Sequence, residues 1–288
     1  MATARQWLEG ARLRTLPVVV APVVAGSGAA AGLDGFVAWK AALCLVVGLA
    51  LQVGVNYAND YSDGVRGTDA VRVGPLRLVG SGLASPAAVK RAAFAAFGVA
   101  ALAGLVLAVT SAWWLVLVGA AAIAAAWFYT GGRHPYGYRG LGEVSVFCFF
   151  GLAAGLGTTY VQASRVGRDA VLAAVACGLL ACAVLLANNL RDIPTDAASG
   201  KRTLSVRIGD RRSRWLYLAL VVLALVSPAA MTTWWALLGL VAVPVAVPAV
   251  RRVARGETGQ ALIPVLKWTG LAELVFAAGV AIGLAVGG

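Results

Sequence analysis

Two short stretches concentrate oxygen-bearing side chains in a chain that otherwise avoids them. The first is Asn59-Asp60-Tyr61-Ser62-Asp63-Gly64-Val65-Arg66-Gly67-Thr68-Asp69. The second is Asn188-Asn189-Leu190-Arg191-Asp192-Ile193-Pro194-Thr195-Asp196-Ala197-Ala198-Ser199-Gly200-Lys201. Each begins where a long apolar run ends. Six of the twelve Asp and Glu residues lie in them or trail just behind: Asp60, Asp63, Asp69, Asp192, Asp196 and Asp210. On a helix turning about 100° per residue, Gln52, Asn56, Asn59 and Asp63 fall within roughly 60° of one another, with Asp60 further round. Asn188, Asp192 and Asp196 are each four apart and make a second stripe. Pro194 disfavours a helical Ile193 and removes a backbone donor, so this second stripe is expected to bend. Two facing stripes of this kind would hold divalent cations through oxygen. A lone Asp costs about 2.5–3.5 kcal/mol at a bilayer centre, less towards the interface. Solvated loop ends are the plain alternative, and they suit one acidic cluster better than two of matching spacing.

Carboxylate and amide oxygens without His or Cys select hard cations, so Mg²⁺ is favoured over Zn²⁺. Lys201, Arg202 and Arg207 follow directly and add anion donors. Metal and cations together suit a strongly anionic group, of which a lipid diphosphate fits a membrane setting best. A diphosphate bound in this way is a good leaving group, and an allylic donor would leave a carbocation for an electron-rich partner. The protein must then stabilise the departing charge and exclude water. The single His134 lies in a loop, which argues against His-based metal or proton-relay chemistry. Cys44, Cys148, Cys177 and Cys182 lie inside apolar runs without metal or disulfide spacing.

The elements that must position these groups are apolar helices. The 288 residues are 60% hydrophobic and 12% charged, about half the charge fraction of a soluble domain. Runs of roughly twenty apolar residues predict an all-α polytopic membrane protein of about nine spans. They fall near 16–32, 37–58, 88–110, 113–130, 142–162, 169–190, 214–231, 233–250 and 263–285. The whole chain, 1–288, reads as one integral membrane domain, with acidic loops at about 58–87 and 188–213. The net charge of +12 raises nucleic acid as a partner, but the basic residues sit between apolar runs, where orientation and anionic lipid explain them better. The amino terminus and the segments after spans two, four, six and eight carry 20 of the 24 Lys and Arg residues. That asymmetry predicts a cytoplasmic amino terminus and both acidic motifs on the cytoplasmic side. No cleavable signal pattern is expected, because no small-residue cleavage site follows a short apolar core.

Several further segments carry two readings. Arg12-Leu13-Arg14-Thr15-Leu16-Pro17 is a topogenic anchor or a contact to a headgroup or diphosphate. The long loop from about 64 to 87, with Arg66, Arg72 and Arg77 among Gly and Ser, suits a phosphate-binding lid. The stretch from Tyr129 to Glu143, rich in Tyr, Gly and Arg, is an interfacial aromatic belt or a binding loop. Lys267 and Glu273 read as an interface anchor and a helix–helix contact. Asn59/Asp63 and Asn188/Asp192 each end the second helix of a four-helix unit, so spans one to four and five to eight form a candidate parallel repeat with span nine appended.

These residues resemble the UbiA-type intramembrane aromatic prenyltransferases. The two motifs match that family's Asn-Asp-x-x-Asp and Asp-x-x-x-Asp pattern. Arg14-Thr15-Leu16-Pro17, Tyr136-Gly137-Tyr138-Arg139-Gly140-Leu141-Gly142-Glu143 and Gly200-Lys201-Arg202-Thr203-Leu204 are most similar to the branch that prenylates 1,4-dihydroxy-2-naphthoate in menaquinone synthesis. The resemblance runs from residue 12 to about 210. It implies a Mg²⁺-dependent transferase of a bacterial cytoplasmic membrane, acting on polyprenyl diphosphate and dihydroxynaphthoate near the cytoplasmic face. It implies metal binding by Asn59, Asp63, Asp192 and Asp196, with Asp63, Asp192 and Lys201 central to catalysis. Asp60, Arg66, Asp69, Asn188, Lys201 and Arg202 would contact donor or metal. Tyr138 and Arg139 would place the acceptor. Another aromatic acceptor, such as 4-hydroxybenzoate, is the alternative within the family. A secondary transporter is the alternative outside it, and it expects charges at span centres rather than span ends.

Overall fold

The computed structural model describes residues 2–67 and 76–288. Among them every regular element is helical: α1 Ala4–Gly10, α2 Pro17–Ala31, α3 Ala38–Arg66, α4 Pro86–Thr110, α5 Leu115–Phe128, α6 Gly142–Val146, α7 Ala154–Ala163, α8 Arg168–Arg191, α9 Ile193–Ala198, α10 Leu204–Ile208, α11 Asp210–Val226, α12 Val243–Ala254 and α13 Ile263–Gly287. A π-helical segment, Phe147–Ala153, joins α6 and α7 into one rod. Among the described residues seven rods are long and apolar enough to cross a membrane, while α2 and α5 are apolar but shorter. These nine segments are those expected. The main difference is at α3, which runs past residue 58 to Arg66, so that Asn59 and Asp63 are helical. It stops where Gly67 turns left-handed, at φ 73°.

Local signals explain the ends. Pro17 and Pro86 open α2 and α4 at positions where the missing N–H costs nothing. Ser85 caps α4, its hydroxyl accepting the N–H of Ala88 at 3.3 Å. Thr3 and Gln6 form a reciprocal capping box at α1.

Lipid offers no hydrophobic drive between helices, so close packing of small residues holds them together. The largest core joins α2, α8, α11, α12 and α13 around Ala25, Leu180, Leu186, Tyr217, Ala249 and Phe276. A second cluster gathers Tyr57, Leu78, Val89 and Phe97. Gly28 of α2 lies so close to α13 that a Cβ there would stand 2.2 Å from the Cα of Ala281. Gly151 and Gly178 bring the π-helical segment equally near α8, where a Cβ on Gly151 would be 2.6 Å from the Cα of Gly178. Glu273 makes no helix–helix polar contact: it is wholly buried on α13, with neither carboxylate oxygen hydrogen-bonded among the described residues.

Polar contacts sort the connections into two faces. On one, Lys40 donates to the carbonyl oxygens of Val161 (2.6 Å) and Thr110 (3.3 Å), a cation at two helix C-termini. Val37 N–H donates to Gln162 at 3.2 Å on that same face. On the other face, Arg202 N–H donates to the Tyr138 carbonyl at 2.9 Å, and Arg66 donates to the carbonyls of Thr130 and Gly132. The ends of α3, α5 and α8 therefore meet on this second face, which carries both acidic motifs.

The tight α2–α13 contact yields a test. Gly28→Ala should lower the unfolding free energy by about 1–3 kcal/mol, because backbone must move to admit the methyl. Gly98→Ala, with nothing within 4 Å of the added carbon, should be neutral or better. Thermal unfolding of both variants in one detergent checks the contrast.

Candidate active site

The end of α3 supplies one wall of a cavity of about 400 Å³. Gln52, Asn56, Asn59 and Asp63 all line it, as their common face requires. The turn between α1 and α2 satisfies the upper part of this stripe. Gln52 Nε2 donates to the Thr15 hydroxyl at 2.8 Å, and Asn56 Nδ2 donates to the Ala11 carbonyl at 2.9 Å. Arg12 sits in that turn in the left-handed region, φ 56°, and its side chain reaches the cavity. Asn59 Oδ1 accepts the Thr130 hydroxyl at 2.7 Å.

Asp63 is the meeting point. It is 2% exposed. Oδ1 accepts the Tyr138 hydroxyl. Oδ2 pairs with Lys201 Nζ at 3.3 Å and lies 3.6 Å from the Arg77 guanidinium. Lys201 also stands 4.7 Å from the centre of the Tyr138 ring. Its backbone N–H donates to the Asp196 carbonyl at 2.8 Å, after a turn that Gly200 makes at φ 74°. One residue thus ties the second acidic motif to the first.

The second stripe does bend. α8 ends at Arg191, Asp192 adopts φ −94° and ψ 4°, and Pro194 lies in the first turn of α9. The backbone bonds from Asp192 N–H to Asn188 O (3.2 Å) and from Asp196 N–H to Asp192 O (2.8 Å) survive the bend. The side chains part. Asp196 and Asn188 line the cavity, but Asp192 does not. Arg191 grips Asp192 with two prongs, Nε to Oδ1 at 2.6 Å and an NH2 donor to Oδ2 at 2.7 Å, and it also donates to Asn188 Oδ1 at 2.8 Å.

The loop 129–141 divides between its two readings. Tyr129, Tyr136, Gly137 and Tyr138 line the cavity, whereas Arg133, His134 and Arg139 are exposed. Gly137 must lack a side chain, since a Cβ would lie 2.7 Å from the Tyr129 carbonyl. Tyr129 and Tyr136 pack edge to face at 5.5 Å. Burial pushes both phenols above their ordinary range, and for Tyr129 the charges of Glu143, Asp63 and Asp196 push further, so both rings stay neutral at physiological pH.

Several expected site residues fall elsewhere. Asp60 turns away from the cavity and accepts the backbone N–H groups of Leu78 (2.7 Å) and Val79 (3.1 Å). Arg66 is spent on the Thr130 and Gly132 carbonyls and faces the Tyr138 ring at 5.5 Å. Arg202 and Arg139 are exposed and outside the lining. Asp69 lies outside the described residues. In return the cavity gains Thr130 and Asn189, and of the arginines read as a phosphate-binding lid Arg77 lines it. Asn189 Nδ2 donates to Glu143 Oε1 at 2.9 Å. A polar side chain on the apolar α8, in a chain with so few acids, was the available signal for that pair.

The cavity has two chemistries. Arg12, Asn59, Asp63, Arg77, Asn188, Asp196 and Lys201 form a charged end, while Val19, Val23, Cys44, Leu107, Phe149 and Phe150 form an apolar end. Charged-end acceptors are all hard oxygens, which suits Mg²⁺. No group of three or more His, Cys, Asp or Glu side chains stands ready for a metal among the described residues. A metal there would draw on amide oxygens and on the phosphate oxygens of a ligand, as Mg²⁺ commonly does.

Residues 19–271 match the model of the UbiA prenyltransferase family. The chain is 58% identical to a 1,4-dihydroxy-2-naphthoate octaprenyltransferase of Mycobacterium tuberculosis, over 100% of this chain and 99% of that protein. It is 38% identical to the Escherichia coli protein of the same description, over 93% and 91%. In fold it is similar to a UbiA homolog from Archaeoglobus fulgidus bound to GPP and Mg²⁺, with TM-score 0.65, 14% identity and coverage of 98% and 99%. It is also similar to the apo UbiA homolog from Aeropyrum pernix K1, with TM-score 0.70, 15% identity and coverage of 92% and 97%.

Removing one partner of a buried ion pair costs about 3–5 kcal/mol. Arg191→Ala takes the two-pronged partner from a carboxylate that is 4% exposed. The variant should unfold at clearly lower temperature than wild type, with Arg191→Lys in between. Equal melting of all three in detergent would contradict the reading of this pair.

Proposed function

The chain belongs to the UbiA prenyltransferase family, and from that premise we propose that it transfers a polyprenyl group to 1,4-dihydroxy-2-naphthoate. The observation that carries the reading is a cavity with one charged and one apolar end. A polyprenyl diphosphate has the same division. The relatives of Mycobacterium tuberculosis and Escherichia coli described as dihydroxynaphthoate octaprenyltransferases support the choice of acceptor.

In this reading the diphosphate enters the charged end and the isoprenoid tail lies along Val19, Val23, Leu107 and Phe149. Lys201 and Arg77 pass from Asp63 to the phosphate oxygens. Asn59, Asp63 and Asp196 would hold Mg²⁺, with Asp192, gripped by Arg191 here, the fourth ligand that the family resemblance implies. Bound there, Mg²⁺ would supply the positive charge that lets diphosphate depart. Lys201 and Arg77 add to that charge and stay on the leaving group as the allylic C–O bond breaks. The aromatic walls of Tyr129, Tyr136 and Tyr138 keep water from the cation. The naphthoate carbon bearing the carboxylate attacks the allylic carbon, a C–C bond forms, and CO₂ leaves with restoration of the aromatic ring. The product is the hydroquinone form of demethylmenaquinone. The whole chain, 1–288, acts as one domain of a bacterial cytoplasmic membrane, with the charged end near the cytoplasmic face, as the distribution of Lys and Arg argues.

Purified protein in detergent, given dihydroxynaphthoate, polyprenyl diphosphate and Mg²⁺, should release CO₂ and diphosphate with no ion gradient present. Chelation of the metal should abolish turnover and added Mg²⁺ should restore it. Asp63→Asn should lower kcat by about 10²–10³, the usual cost of one preorganised electrostatic group. Dihydroxynaphthoate should outcompete 4-hydroxybenzoate in kcat/KM. Full activity in Asp63→Asn would remove the site assignment, and a preference for 4-hydroxybenzoate would replace the acceptor.

A further inference from the structure

We infer that Asp60 is a positioning residue that sets Arg77 in the donor site, and that it binds neither metal nor substrate. The inference rests on the prenyl-transfer reading above and refines one residue's part in it. Asp60 follows Asn59 directly, so on α3 it points about 100° away from the Asn59/Asp63 face. It is 1% exposed and absent from the cavity wall. Each of its oxygens has one backbone partner: Oδ2 accepts Leu78 N–H at 2.7 Å and Oδ1 accepts Val79 N–H at 3.1 Å. Two charge-assisted bonds to adjacent amides fix the backbone at those two residues.

The surroundings are cut to the same purpose. The Leu78 side chain is wholly buried beside Tyr57, Ala11 and Phe97. Gly10 leaves room for it, since a Cβ there would be 2.9 Å from Leu78 Cδ1. Gly64, one turn past Asp60, leaves room for Val79, where a Cβ would be 2.5 Å from Val79 Cγ1. Ala84 N–H closes the segment onto the Leu78 carbonyl at 3.0 Å. Arg77 immediately precedes the clamped pair. Its guanidinium enters the charged end of the cavity, 9% exposed and 3.6 Å from Asp63 Oδ2. Asp60 touches the clamped segment through the Leu78 and Val79 amides, so its effect on chemistry runs through where it places the adjacent Arg77.

The test uses the full-length protein in detergent with dihydroxynaphthoate, polyprenyl diphosphate and varied Mg²⁺. Wild-type turnover must be seen first, and its absence counts against the functional reading, not against Asp60. Asp60→Asn keeps the shape but points an amide donor at one N–H. It and Arg77→Ala should each raise KM for the diphosphate about 10- to 100-fold, the range expected for losing a charge-assisted bond. The Mg²⁺ concentration for half-maximal rate should stay the same. The double variant should be no worse than Arg77→Ala. Hydrogen–deuterium exchange gives a readout independent of activity: the Leu78 and Val79 amides should exchange faster in Asp60→Asn and stay protected in Arg77→Ala. Asp60→Glu, which keeps both acceptors but shifts the loop, serves if Asp60→Asn does not fold, and should also raise KM. A shifted Mg²⁺ dependence in the Asp60 variant alone, multiplying effects in the double variant, or unchanged kinetics with unchanged exchange would each overturn the assignment.

Discussion

A buried carboxylate at the edge of a lipid bilayer has to be matched by charge, and Asp63 shows how this fold does it. Its two oxygens are shared among a phenol, an ammonium and a guanidinium that come from three separate connections. Without them the group would be an uncompensated ion, which costs several kcal/mol. With them, the cations needed for an anionic substrate are stored at the place of use. The same demand organises the rest of that face. Lys201 brings the second motif, Tyr138 the central loop and Arg77 the segment after α3. A change in any one alters the charge balance of all.

The scaffold follows from a second constraint. In lipid every backbone polar group needs an internal partner, so the chain spans as helices and confines irregular backbone to the ends. Where irregular backbone does line the cavity, it is tied down. Tyr129 carbonyl accepts Gly137 N–H at 3.0 Å, and Asp60 takes the amides of Leu78 and Val79. The π-helical turn at Phe147–Ala153 departs from α-helix within a span, as the 3₁₀ stretch Trp234–Ala242 does in another, and it places Phe149 and Phe150 on the apolar end of the cavity. Small residues elsewhere let the helices close around this space, as at Gly28 and Gly151.

The apolar runs and the polar stripe of α3 were legible from spacing alone, because helical periodicity governs both burial and direction. Asp63 facing the cavity and Asp60 facing away follow from 100° per residue. The bend at Pro194 was legible too, since proline removes a donor wherever it stands. What spacing could not supply was partner choice. Nothing in Arg191-Asp192 says that the arginine folds back on its neighbour and withdraws Asp192 from the cavity. Nothing in the sequence of residues 64–87 singles out Arg77 from Arg66, because their separation depends on a clamp between residues 18 and 19 positions apart. Such long-range pairings are set by tertiary packing, which local pattern does not encode.

The central claim is that Lys201 and Arg77 leave Asp63 for the diphosphate when the donor binds. The direct measurement is an experimental structure of the protein with Mg²⁺ and a polyprenyl thiodiphosphate, a donor that resists ionisation. The account predicts both cations on phosphate oxygens, with the Asp63 carboxylate released from them and turned to the metal. Lys201 still paired to Asp63, with the diphosphate bound elsewhere, would contradict it.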